Sequence, residues 1–131
     1  MHLDGDLDQI VQEWTILGRQ DLDSATYLYT MKPKPLEVIG FLCQQSVKKY
    51  LKAYLVKKQR EPDKTHDLVF LLQQCQGFDS TFVSLLEVAN DLNKYAVQTR
   101  YPYPHQLQLE NVSKSLSLAT LGIELIQSKL S

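Results

Sequence analysis

The chain is short of cysteine, glycine and proline, has no long hydrophobic run and carries almost no net charge. Each shortage removes a class of protein. The two cysteines, Cys43 and Cys75, fall inside apolar helical patterns without CxxC spacing, which argues for buried free thiols and against a zinc site or a disulfide framework. Five Gly and five Pro leave little room for extended low-complexity sequence. No apolar run approaches the roughly 20 residues that span a bilayer. The opening Met1-His2-Leu3-Asp4-Gly5-Asp6 is acidic where a signal peptide is basic, so a cytoplasmic protein with no membrane partner is expected. A net charge of -1 argues against coating of nucleic acid by bulk electrostatics but leaves room for a local basic site, and no DNA partner is expected.

What is present is ordinary for a soluble fold: 131 residues, 44% hydrophobic and 22% charged, enough for one domain over 1–131 with a continuous core. Charge is unevenly spread. Six of the 14 basic residues, Lys48, Lys49, Lys52, Lys57, Lys58 and Arg60, lie within 13 positions, whereas the first 31 residues contain several acids and only Arg19.

Apolar residues recur at steps of three and four in five stretches, and no stretch alternates as a strand does. The first runs from about Leu3 to Met31 and is broken by Lys32-Pro33-Lys34-Pro35. Pro35 can open the second helix, which holds Leu36, Ile39, Cys43, Val47, Tyr50, Leu51 and Leu55 and ends in the polar run Lys57 to Pro62. A short third helix, His66 to about Gln76, is expected with Thr65 as its N-cap and Gly77 as its stop. Asp79 can cap a fourth helix that runs until Pro102 and Pro104 end it near Arg100, and a fifth is expected from about Pro104 to Leu130. The spacing predicts an all-α fold, an up-and-down bundle of four main helices plus one short one.

Arg100-Tyr101-Pro102-Tyr103-Pro104-His105 sets a cation and an imidazole at a proline-broken joint with four residues between them. Arg offers a permanently charged fork that matches phosphate oxygens, and His exchanges protons near neutral pH. Tyr101 and Tyr103 offer faces on which an unpaired base could stack, or could equally pack against helix ends. Lys48, Lys49 and Lys52 share one stretch of the second helix and could attract an RNA backbone. His66 could help hold a nucleotide, although a His beside an N-cap is more often structural. If Pro104 opens the fifth helix, His105 shares its first turn, where the dipole favours phosphate and a neutral ring.

Asp21-Leu22 with Ala25, then Gln44-Gln45-Ser46-Val47-Lys48-Lys49-Tyr50-Leu51-Lys52-Ala53, then Thr65-His66-Asp67-Leu68, then Leu92-Asn93-Lys94-Tyr95 leading into Arg100-Tyr101-Pro102, together resemble the HEPN family, the higher eukaryote and prokaryote nucleotide-binding domain. The resemblance covers roughly residues 7 to 130. It implies a helical bundle, usually homodimeric and often encoded beside a minimal nucleotidyltransferase as a toxin and antitoxin pair. Many members are metal-independent endoribonucleases that need no cofactor, with an Arg followed four to six residues later by His; Arg100 and His105 fit that signature. Two departures stand out. Lys48-Lys49 occupies a place where the family often has Glu-Lys, and Leu107 stands where one toxin subgroup has a tyrosine that its partner adenylylates. The readings from different classes are a ribonuclease, a noncatalytic nucleotide-binding or partner-docking module, and a structural dimerisation bundle.

Overall fold

The second helix carries apolar residues on nearly every side, a pattern that fits only the middle of a core. The structure, a computed structural model, describes residues 3–96 and 107–131 and bears this out. Helices α1 (Leu3–Leu28), α2 (Leu36–Lys57), α3 (Leu68–Gln76), α4 (Leu86–Leu92) and α5 (Leu109–Leu130) form an all-α bundle, with no strand among the described residues. α2 touches each of the other four helices. Ile39, Cys43, Val47, Tyr50, Leu51, Tyr54 and Leu55 are buried along one broad face, and Ser46, Ala53 and Val56 are buried outside it. At about 2 kcal/mol for each fully buried large side chain, this helix anchors the fold. No helix among the described residues is long and apolar enough to cross a membrane.

Close helix contacts depend on two glycines. A Cβ on Gly18 of α1 would lie 2.7 Å from Tyr50 Cδ2, and one on Gly40 of α2 would overlap Tyr95 Cε1 outright. Both tyrosine rings therefore lie directly against backbone. Cys43 and Cys75 are buried free thiols. Burial pushes both thiols up to about 12, helped at Cys43 by the charge of Asp91.

Three helix boundaries differ from the sequence expectation. α3 begins at Leu68 because Asp67, not Thr65, is its N-cap: the Asp67 carboxylate accepts from the amides of Val69 and Phe70. Thr65 Oγ1 instead accepts from the Asp67 amide, fixing the cap itself. The fourth stretch is divided: Asp79 does cap it, but Ser80–Leu85 and Asn93–Tyr95 wind as tighter 3-10 turns on either side of α4. α5 begins at Leu109, with Gln108 and Asn111 forming a reciprocal capping box. This start is later than the expected one near Pro104; Pro104 and His105 themselves lie outside the described residues.

α2 ends in a Schellman motif. Gln59 takes the left-handed conformation at φ 61°. Its amide donates to Val56 O at 2.8 Å, and that of Arg60 donates to Leu55 O at 2.9 Å. This turn folds Arg60 to Pro62 back beside the helix end. Lys57 Nζ also donates to the Leu130 carbonyl, tying the C-terminal ends of α2 and α5 together.

Candidate nucleotide-binding site

Burial of Gln44 begins the site. Its side chain has no exposure, and its Nε2 donates to the carbonyl of His66 at 2.8 Å. Gln44 thus fixes the chain just before α3 onto α2. One turn later on α2, Lys48 Nζ lies 3.4 Å from His66 Nδ1. An ammonium only donates, so in this contact Nδ1 is the acceptor and the ring proton is assigned to Nε2. That N–H is a second donor beside the ammonium.

Asn93 secures the same loop from the other side. Its Oδ1 accepts from the Leu68 amide at 2.8 Å, and its Nδ2 donates to Asp67 Oδ1 at 2.8 Å. This bond, with those from the Phe70 and Val69 amides, holds the Asp67 carboxyl below the usual carboxylate range. Asp67 is thereby occupied as a cap and by Asn93.

The three lysines do not have equal roles. Lys49 Nζ pairs with Asp21 Oδ2 at 2.6 Å, both side chains about one-fifth exposed, so its charge joins α1 to α2. Burial lowers the Lys48 pKa, and the charges of Lys52 and Lys49 lower it further against the opposing pull of Asp21. Lys52 is lowered by burial and sits with Nζ 5.5 Å from the centroid of the Trp14 ring. Among the described residues, Lys48, Lys52 and His66 have no carboxylate in salt-bridge contact. Sequence spacing put the lysines on one helix, but nothing in it brought His66 to them, and Trp14 was legible only as part of an apolar stripe.

Arg100, Tyr101, Tyr103 and His105 lie outside the described residues. Their flanks are well anchored. Tyr95 OH is 3.0 Å from Ser115 Oγ, which is 2.6 Å from Asp91 Oδ2, so a chain of buried hydroxyls ties the end of the fourth stretch to α5. On the other flank Leu107 packs against the core, and Gln108 is held by the Asn111 side chain.

The fold and this polar cluster define a helical bundle with a group of basic side chains on its central helix. The HEPN domain family model matches residues 11–129, and the chain belongs to the HEPN family, a family of nucleotide-binding and RNase-like domains. The fold is also similar to that of TT1696 from Thermus thermophilus, with a TM-score of 0.80 at 22% identity, covering 92% of this chain and 98% of that one. No curated protein matches the chain.

Proposed function

We propose that the protein is a metal-independent endoribonuclease of HEPN type, working as a homodimer and serving as the toxin of a pair with a minimal nucleotidyltransferase. The observation that carries the RNA reading is the convergence of Lys48 and His66, with Lys52 one turn further along α2, into a donor cluster whose ligand chemistry is that of a phosphodiester. In the reaction, His105 takes the proton of a ribose 2'-hydroxyl, whose oxygen attacks phosphorus. Arg100 neutralises the nonbridging oxygens as charge develops. The 5'-oxygen leaves with a proton from His105 of the partner subunit, giving a 2',3'-cyclic phosphate and a 5'-hydroxyl. One His per motif makes a second copy necessary for separate acid and base.

The test is incubation of the purified protein with single-stranded RNA in EDTA, beside Arg100→Ala and His105→Ala. Cleavage by the wild type and loss in both variants are expected. RNA that is bound but left intact by all three proteins would favour the noncatalytic nucleotide-binding module instead.

A further inference from the structure

A second feature lies beside Trp14 and Lys52. Between the first half of α1 and the end of α2 runs an open groove of about 430 Å3, lined by Leu7, Ile10 and Trp14 on one side and by Val56, Arg60 and Pro62 on the other. That volume suits a small organic ligand. The lining is mostly apolar, and Ile10 is 40% exposed although it belongs to the apolar stripe of α1. The Schellman turn at Gln59 creates the far wall by folding Arg60 to Pro62 back across the helix end.

Charge identifies the occupant. Lys52 meets Trp14 at one end of the groove, and Arg60, carried past the helix end by the turn at Gln59, lines the other. Lys52 Nζ already lies over the Trp14 ring, and the same ring walls the groove. The carboxylates nearby are exposed: Glu61 in the lining, Asp63, whose Oδ2 is a loose 3.9 Å from Arg60, and Asp6, Asp8 and Glu13 along the same half of α1. An aromatic wall, an apolar floor and flanking cations match a nucleobase with its phosphate better than a purely apolar segment. Lys52, whose ammonium meets the Trp14 ring, lies one turn along α2 from Lys48.

We infer that the Trp14 groove is a base-binding subsite that holds one unpaired nucleotide of a single-stranded RNA, the base against Trp14 and the adjoining phosphate on Lys52 or Arg60. The inference rests on the RNA-binding reading above and adds a place where the substrate must be unpaired, since a base in a duplex cannot enter the groove.

Trp14 is the chain's single tryptophan, so its fluorescence reports on the groove alone. Full-length protein carrying Arg100→Ala and His105→Ala is titrated with adenosine 5'-monophosphate, a short single-stranded oligoribonucleotide and inorganic phosphate. Quenching by the first two and none by phosphate is expected. Affinity for labelled oligoribonucleotide, read by anisotropy, should weaken about five-fold or more in Trp14→Ala and stay near wild type in Trp14→Phe. Arg60→Gln, at the exposed end of the helix, should weaken the monophosphate but not adenosine. Unchanged emission with saturating oligoribonucleotide, together with unchanged affinity in Trp14→Ala and Arg60→Gln, would overturn the groove while leaving the ribonuclease reading intact. Emission that shifts with protein concentration and ignores nucleotide would put a second copy over Trp14 and overturn it too. Quenching by the monophosphate in a wild-type protein that never cleaves RNA would keep the groove and remove the ribonuclease.

Discussion

Lys48 Nζ and His66 Nδ1 lie 3.4 Å apart, although 18 positions separate the residues in sequence. The contact brings a largely buried ammonium next to an exposed imidazole. Lys48→Met should weaken single-stranded RNA binding and flatten its dependence on salt, the log-log slope falling by about 0.7 for one lost phosphate contact. A salt slope equal to that of the wild type would remove Lys48 from the RNA path.

The same substitution has a stability signature. Because the Lys48 pKa is lowered in the folded state, the unfolded chain binds the proton more tightly and the ammonium opposes folding at neutral pH. Stability from this residue should rise as pH climbs from the lowered value toward the ordinary lysine value of 10.5. Urea midpoints of wild type and Lys48→Met, compared across that interval, should converge as pH increases.

Gly40 admits the Tyr95 ring against the backbone of α2, and a methyl group there would overlap the ring carbons. Gly40→Ala should displace the ring, break its bond to Ser115 and cost about 1 to 3 kcal/mol. Denaturant unfolding at the wild-type midpoint would contradict this close approach.

Asp79 accepts from the Thr81 hydroxyl, from Lys129 and from the Thr81 amide, and these bonds hold its carboxyl at about 2. A depressed carboxylate stabilises the fold above its unfolded value and loses that effect as pH falls through the folded one. Thermal melts between about pH 4 and pH 2 should therefore fall less steeply for Asp79→Asn than for the wild type.

Gln59 occupies a left-handed position that favours glycine. Gln59→Gly should raise stability by up to about 1 kcal/mol and leave the Schellman bonds in place, whereas Gln59→Val should lower it. Equal urea midpoints for Gln59→Gly and Gln59→Val would show that the turn is not held at positive φ in solution.

Local chemistry was readable from sequence where it is one-dimensional. Apolar steps of three and four marked α1, α2 and α5, the prolines marked the break before α2, and the absence of paired cysteines marked Cys43 and Cys75 as buried thiols. Boundaries were misread where two polar residues compete for one amide. Thr65 and Asp67 both suit an N-cap, and the Asn93 side chain, distant in sequence, joins the loop at Asp67. The fourth stretch reads as one helix because its apolar spacing is helical, yet its two ends tighten into 3-10 turns.

By itself, then, the sequence determined an all-α chain of HEPN type and the identity of its phosphate-friendly side chains, because periodicity and residue chemistry are local properties. Only the tertiary structure decided which of those side chains meet. It joined Lys49 to Asp21, brought His66 to Lys48 through Gln44, and set Trp14 between Lys52 and an open groove. The reason is that contacts between helices depend on the rotation and depth at which they pack, and glycine positions such as Gly18 and Gly40 set these through steric fit.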